Sequence, residues 1–201
     1  MDSDLNERPK LTPKGARTRA RIVEAAAALI HKRGVAATTL DDVKVAAEVS
    51  GSQMYHYFPD KNELVQAVID YQAETIVHHQ GRVLSSANGV EAWRNLVITA
   101  AKHTKAVGGC PLGSLGGQLA ESDPEARALI AAGFDQWAAV IGDALGSLHA
   151  DGKLPPDIDS NDLAITLLAT LQGGLLLAQV QRSTRPFEIA VNTVLDLAVG
   201  R

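Results

Sequence analysis

Residues 39–58 read TLDDVKVAAEVSGSQMYHYF. Thr39 is placed to cap a helix, and Asp42, three residues later, completes a pair of the capping-box type. Apolar residues at 40, 43, 46 and 47 form one face of this helix. A break follows at 48–50, and a further short helix ends near Pro59, because the residue before a proline disfavours the helical region. The stretch therefore predicts two short helices joined by a tight turn, the arrangement of a helix-turn-helix.

The outer face of the second short helix is small or polar. Only such a face can enter the major groove of DNA, where the N-terminal residues of the helix reach base edges and phosphates. Val49, Met54 and either Tyr57 or Phe58 are expected to anchor the inner face. This pattern alone leaves open an ordinary helical hairpin in an all-α protein. The residues of the outer face are Ser50, Gly51, Ser52, Gln53, Tyr55 and His56.

Apolar residues recur with helical periodicity along nearly the whole chain. Positions 22, 25, 26, 29 and 30, for example, form one stripe that ends before Gly34. No hairpin signal and no long alternation of period two is present. We therefore expect an all-α protein with about nine helices. Besides the two above, they are expected at about 18–33, from 61 for about five turns, 90–107, one short helix after the break at 108–109, 124–149, 160–182 and 186–199.

The composition is that of an ordinary globular protein. The chain has 201 residues, 46% of them hydrophobic and 21% charged, which allows one domain or two small ones. Its single cysteine, Cys110, excludes an intramolecular disulfide and a cysteine-only zinc site. The first ten residues have no apolar run, so no secretory signal is expected. The apolar segment 163–180 contains threonines and glutamines and predicts a buried interface helix rather than a membrane span. We expect a cytoplasmic protein without membrane contact.

Charge is distributed unevenly along the chain, whose formal net charge is −4. Residues 8–61 contain ten Lys or Arg and five Asp or Glu, whereas residues 62–201 contain nine and fifteen. A basic N-terminal part on an acidic remainder favours a nucleic-acid-binding module attached to a second domain. Uneven surface charge without function is the alternative.

Residues 18–64 resemble the N-terminal domain of the tetracycline-repressor (TetR) family of bacterial regulators. The motifs CPLGS at 110–114 and LQGG at 171–174 resemble a ligand-domain subgroup of that family. The resemblance implies a flexible arm at 1–15, a helix-turn-helix DNA-binding domain at 16–62, and a ligand-binding and dimerisation domain at 63–201. The matching N-terminal positions are Thr18, 22–26, Gly34, Thr39, 41–43, Val49, Ser50, 55–58, Lys61 and Leu64.

The resemblance also implies contacts with an operator in double-stranded DNA. Lys14 and Arg17 precede the first helix and are expected at the minor groove or backbone. Thr39, at a helix N-terminus, suits a phosphate. Gln53 is expected to read a base edge, since its amide can pair with adenine. The other expected contacts are Ser50, Gly51 and Ser52 on the recognition helix, and Tyr55, His56 and Lys61 at phosphates.

Two positions depart from the family pattern. Glu48 stands where the family often has glycine, and a glutamate in a left-handed conformation costs about 1 kcal/mol or more. We therefore expect the turn to be built differently here. Gly51 stands where lysine or arginine is frequent, so one phosphate contact is expected to be lost.

The C-terminal part is expected to dimerise. Leucines cover much of the circumference of the helix at 160–182, and such a helix must be covered on several sides. Gly173 and Gly174 in mid-helix are explained by a close helix crossing or by a ligand at the backbone. A homodimer through the last two helices is favoured because two recognition helices can read a palindrome. Packing of both helices within one monomer is the alternative.

A small-molecule effector of moderately hydrophobic character is expected in the same part. Mixtures of aromatic, apolar and single polar residues line such sites, although they also line ordinary cores. His103 and Gln172 are the expected polar contacts. The candidate ligand-binding residues are Trp93, Leu96, His103, Cys110, Leu115, Phe134, Trp137, Ile141, Gln172 and Leu176.

Two other functions compete with a ligand-responsive transcriptional repressor. The first is an enzyme with Cys110 as nucleophile and His103 as base, which lacks a third orienting group. The second is an interaction protein whose helix-turn-helix is vestigial. His78 and His79 point about 100° apart on a helix, so a metal site there is not expected. We expect no catalytic residue, no metal and no cofactor.

Overall fold

The structure is a computed structural model that describes residues 11–198, and within that range every regular element is an α-helix. This confirms the expected all-α class and the number of helices. The helices are α1 (Pro13–Arg33), α2 (Leu40–Ala46), α3 (Gly51–Tyr57), α4 (Lys61–Leu84), α5 (Gly89–Thr104), α6 (Pro111–Leu119), α7 (Pro124–Ala150), α8 (Ser160–Gln181) and α9 (Arg185–Ala198).

Helix α1 begins five residues before its expected start. Thr12 Oγ1 accepts the amide of Gly15 at 3.1 Å, and Pro13 occupies the first helical position, where its missing N–H is no loss. Lys14 and Arg17 therefore lie on the helix and do not precede it, which corrects the expectation. Residues 13–15 of the expected arm are helical, and residues 1–10 lie outside the described residues.

Helix α5 ends before its expected end at residue 107. Lys105 and Ala106 adopt positive φ angles of 52° and 54°, and Gly108 and Gly109 follow at 81° and 65°. A run of left-handed residues cannot continue a right-handed helix. Pro111 then starts α6, and Cys110 is its N-cap residue.

The chain divides into two compact units, with the division between Val68 and Ile69 in α4. In the first unit, α1 to α3 surround a core that includes Ile22, Val43 and Met54, all with no exposed surface. This core arises because α1, α2 and α3 each place an apolar face inward.

The second unit contains α5 to α9, and α8 packs against both α7 and α9. A Cβ on Gly174 would lie 2.9 Å from Phe187 Cδ2 and 3.1 Å from Phe187 Cα. The close crossing expected at the mid-helix glycines is therefore confirmed at Gly174. A Cβ on Gly173 would meet nothing within 4 Å, so this explanation does not extend to it.

Candidate DNA interface and effector cavity

The first helix of the helix-turn-helix carries the expected capping box. Asp42 N donates to Thr39 Oγ1 at 3.2 Å, and Thr39 N donates to Asp42 Oδ2 at 3.0 Å. The Thr39 hydroxyl also donates to the same carboxylate at 2.6 Å, and Arg33 Nη2 lies 2.6 Å from it. The hydrogen bonds from Thr39 and the neighbouring Arg33 charge lower the pKa of Asp42. Thr39 is thus exposed, as a phosphate contact requires. Its hydroxyl, however, already donates a hydrogen bond to the Asp42 carboxylate, which the sequence did not predict to lie at the DNA interface.

Helix α3 carries a second capping box, which the sequence analysis missed. Gln53 N donates to Ser50 Oγ at 3.2 Å, and Ser50 N donates to Gln53 Oε1 at 3.0 Å. The signal was available, because serine followed three residues later by glutamine is a capping-box pattern. Ser50 Oγ also lies 3.0 Å from Ser52 Oγ. The two capping boxes give hydrogen-bond acceptors to backbone amides at the N-termini of α2 and α3, which have no acceptor within the helix.

The outer face of α3 is exposed and its inner face is anchored. Met54 and Phe58 are buried, with 0% and 1% of their surface exposed, and anchor α3 in the core of the first unit. A Cβ on Gly51 would meet nothing within 4 Å, so no packing requires glycine there. The exposed residues are Ser50, Ser52, Gln53, Tyr55 and His56.

Glu48 adopts the left-handed conformation that its residue type disfavours. Its φ is 51°, and it forms the turn between α2 and α3, where Val49 N donates to Lys44 O at 3.2 Å. The expectation of a differently built turn is therefore wrong. The inner faces of α2 and α3 are both buried, and this packing imposes the turn on whichever residue stands there.

The first unit also carries the basic side chains predicted to contact DNA. Lys14 and Arg17 are exposed on α1, and Lys61 Nζ donates to the Ala36 carbonyl at 3.5 Å. Arg19 lies over the Phe58 ring, 5.1 Å from its centroid, a cation–π contact that the sequence did not indicate. The first unit thus combines exposed basic side chains on α1 with a polar outer face on α3.

In the second unit, a cavity of about 370 Å³ lies between the α5–α6 loop, α6 and α8. Cys110, Gln172 and Leu176 line it, together with Ser114, Gln179 and glycines at 108, 109, 113, 117 and 173. Gln172 Nε2 is buried, and apart from a weak interaction with the Cys110 sulfur it has no partner among residues 11–198. A larger cavity of about 520 Å³, next to Gly81 and Ser147, contains none of the candidate ligand-binding residues.

Three of the ten candidate ligand-binding residues line this cavity, and the other seven lie elsewhere in the second unit, so their role in effector binding stays a prediction. Trp93 and Trp137 are core residues whose indole N–H groups both donate to Gln80 Oε1, at 2.6 and 2.8 Å. Leu115 and Ile141 are also buried in the core, Leu96 and Phe134 are half-buried, and His103 is exposed. Only Cys110, Gln172 and Leu176 meet in the cavity. Gln80, on α4, was missed because it is one of many polar residues on that helix, and the sequence does not indicate which of them has a partner in the core.

Comparison with known proteins agrees with these two units. The profile described as "Bacterial regulatory proteins, tetR family" matches residues 22–68, and that described as "Tetracyclin repressor-like, C-terminal domain" matches residues 88–194. The chain belongs to the TetR family. Its members bind operator DNA and small-molecule effectors and act as dimers, and repression is typical of them. The protein is therefore a TetR-family DNA-binding transcriptional regulator.

Relatives of the TetR family match nearly the full length of the chain. An uncharacterised HTH-type transcriptional regulator of Mycobacterium tuberculosis is 29% identical over 196 residues, which cover 90% of this chain and 94% of the relative. The crystal structure of a TetR regulator from Chloroflexus aurantiacus is 27% identical, with a TM-score of 0.78 over 91% of this chain and 94% of that one. The SmeT–triclosan complex shares the fold, with 22% identity and a TM-score of 0.71 over 91% and 92% of the two chains.

The enzyme alternative receives no support. TetR-family members are transcriptional regulators, which are not enzymes. Burial raises the pKa of the Cys110 thiol despite a hydrogen bond from Gly113 N at 3.3 Å, so the thiolate needed for nucleophilic attack is disfavoured. His103 is exposed in the last turn of α5. Among the described residues, no group of three His, Cys, Asp or Glu could hold a metal.

Helices α7 and α8 are long and apolar enough to cross a membrane by length and composition. The core helix of a soluble protein passes the same test, so this is weak evidence for a membrane span. The two helices pack against each other in the second unit.

Proposed function

We propose that the protein represses transcription by binding a palindromic operator as a homodimer and releases it when a small, moderately hydrophobic effector binds. The observation that carries this proposal is α3, an anchored helix with an N-terminal capping box and an exposed face of small or polar residues. The operator contacts are the ten residues inferred from the sequence, with Lys14 and Arg17 reaching DNA from α1. The chain acts in the cytoplasm, with residues 16–62 as its DNA-binding domain and 63–201 as its effector and dimer domain.

The direct test is titration of the purified protein against its own upstream DNA, followed by fluorescence anisotropy at two salt concentrations. Unrelated duplex DNA serves as competitor. Tight binding that survives the competitor and weakens with salt is expected, because phosphate contacts carry the salt dependence and base contacts carry the specificity. A systematic search of random duplexes replaces the upstream region if the operator lies elsewhere. Wholly competable binding to every sequence would refute the proposal.

We propose that the dimer interface lies on α8 and α9, and their exposed apolar residues support this. Ile165, Leu176 and Val180 lie eleven and four residues apart, about three turns and one turn, and so form one stripe on α8. They are 60%, 60% and 73% exposed, and Ile189 and Leu197 on α9 are 53% and 73% exposed. A soluble protein rarely leaves so much apolar surface uncovered, and a second copy of these helices would cover it.

Val180→Asp tests this interface. The change occurs twice in a two-fold dimer, and losing two buried valines at about 1.5 kcal/mol each weakens the dimer by about 3 kcal/mol, or roughly 100-fold in Kd. Burying two unpaired carboxylates weakens it further. Val107→Asp, at a 58% exposed valine in the α5–α6 loop, is the matched control. Sedimentation equilibrium should give monomers for the first variant and dimers for the control; dimers for both would contradict this interface.

We propose that the effector binds in the cavity lined by Cys110, Gln172 and Leu176. The buried Gln172 Nε2 group needs an acceptor, and an effector with a carbonyl or hydroxyl oxygen on an apolar body would supply one. Fold-level similarity to SmeT, whose complex contains triclosan, supports an effector with these features. Helix α4 runs through both units, so a change at its second half can shift the population of operator-binding conformations.

Filling the cavity tests this placement. A Cβ on Gly117 meets nothing within 4 Å, and the residue lines the cavity, so Gly117→Leu fills space without a clash at the backbone. Gly146→Leu, at an equally open helical glycine outside this cavity, is the matched control. Compounds that release DNA from the wild type are first found by screening oxygen-bearing aromatic molecules. They should still release the control but not Gly117→Leu, and release of both variants would place the effector elsewhere.

A further inference from the structure

One end of the Gln53 side chain is held by the helix that presents it. Ser50 N donates to Gln53 Oε1 at 3.0 Å, and Gln53 N donates to Ser50 Oγ at 3.2 Å. A backbone N–H can only donate, so the amide atom that faces it must be the oxygen. The exposed end is therefore Nε2, which carries two hydrogens and has no acceptor among the described residues.

This arrangement conflicts with the adenine contact expected from the sequence. A bidentate contact to adenine uses both amide atoms, the oxygen accepting from N6 and the nitrogen donating to N7. Here the oxygen is already used, and freeing it would open the capping box of a seven-residue helix. Guanine instead presents two neighbouring acceptors, O6 and N7, in the major groove. An amide NH₂ group can reach them while its oxygen stays on Ser50.

We propose that Gln53 reads guanine as a hydrogen-bond donor only, through Nε2, while Oε1 remains in the capping box. The inference rests on the proposed function, because it requires a specific operator in the major groove. Gln53 then has two roles. The hydrogen bond from Ser50 N to Gln53 Oε1 stabilises α3, and it also determines which base Gln53 can recognise, because it leaves only Nε2 free. Thymine, with one acceptor beside a methyl group, and adenine, with an amino donor beside N7, both fit a pure donor less well.

Gln53→Glu separates these two roles. Glutamate is itself a preferred third residue of a capping box, so it can accept from Ser50 N and retain the cap. It has no donor, and it brings a carboxylate that accepts from cytosine N4. Gln53→Ala removes both roles and shows their combined loss. Equal urea midpoints are expected for wild type and Gln53→Glu, with a lower midpoint for Gln53→Ala.

The experiment selects duplexes from a randomised library with full-length wild type and with Gln53→Glu. The position at which their preferences differ marks the base that residue 53 contacts. We expect guanine there for the wild type. Replacing it with 7-deazaguanine removes the N7 acceptor and should weaken wild-type binding about fivefold, the net worth of one hydrogen bond, without affecting Gln53→Glu. Inosine changes only the minor groove and should leave both proteins unaffected.

Two results would overturn the inference. An adenine at the marked position whose N6 and N7 both contribute would mean that the oxygen leaves the capping box. Identical preferences of wild type and Gln53→Glu would mean that Gln53 reads no base. Both results leave the proposed function standing, whereas the absence of any enriched sequence would overturn both.

Discussion

Replacing Glu48 by glycine should stabilise the helix-turn-helix. Glu48 adopts a φ of 51° in the turn between α2 and α3. That conformation costs a residue with a Cβ about 1–2 kcal/mol, and glycine about none. Glycine loses more backbone entropy on folding, which offsets about 0.5–1 kcal/mol of the gain. The net increase in the free energy of unfolding is therefore about 0.5–1 kcal/mol for Glu48→Gly, measured by urea denaturation with circular dichroism.

Glu48→Gln isolates the charge from the backbone conformation. Glutamine keeps a Cβ in the same conformation, so no gain in stability is expected. Both variants remove an exposed carboxylate beside the helix that approaches phosphates, so both should bind DNA more tightly. Anisotropy titration with one duplex at fixed salt measures this effect. The two variants thus share the gain in affinity but differ in stability.

Two further glycine substitutions, one expected to stabilise the fold and one to destabilise it, serve as references for Glu48→Gly. Arg182→Gly changes another left-handed residue, with a φ of 53° at the end of α8, and should stabilise by a similar amount. Ala132→Gly, at an exposed interior position of α7, should destabilise by about 1 kcal/mol. Equal stability of Glu48→Gly and Glu48→Gln would refute the argument that the turn is strained.

Three other changes have defined outcomes. Gly51→Lys should bind DNA more tightly than Gly51→Ala, because the added side chain meets open space and can reach a phosphate. The slope of log affinity against log salt should steepen by about 0.9, and the base preference should not change. Cys110, the single cysteine, should react slowly with Ellman's reagent in the native protein near neutral pH and at once in urea, since burial raises its pKa; fast native reaction would contradict this. Asp42→Asn should lower the urea midpoint near neutral pH, where the wild-type carboxylate is charged and stabilises the fold. The gap between the two urea midpoints should shrink as the pH falls through the lowered pKa of Asp42, because the protonated wild type no longer has this stabilisation. A gap that does not change with pH would show that the charge of Asp42 is irrelevant.

Local interactions explain why much of the first unit could be derived from the sequence. Helical periodicity and the capping pair of Thr39 and Asp42 depend on residues within four positions of each other, so the chain itself encodes them. The bounds of α2 and α3 and the polar outer face of α3 follow from this, and so does the resemblance to the TetR family. The capping role of Gln53 was equally local and was available in the pattern.

The tertiary structure alone decided which apolar and polar residues meet. Trp93 and Trp137 share Gln80 as a core contact, while Cys110 and Gln172 meet at a cavity. These residues lie on helices far apart in sequence, so their partners depend on packing that no local window contains. Glu48 illustrates the same rule in the turn. Its residue type disfavours a left-handed conformation, but burial of the helices on both sides outweighs a local preference of about 1–2 kcal/mol.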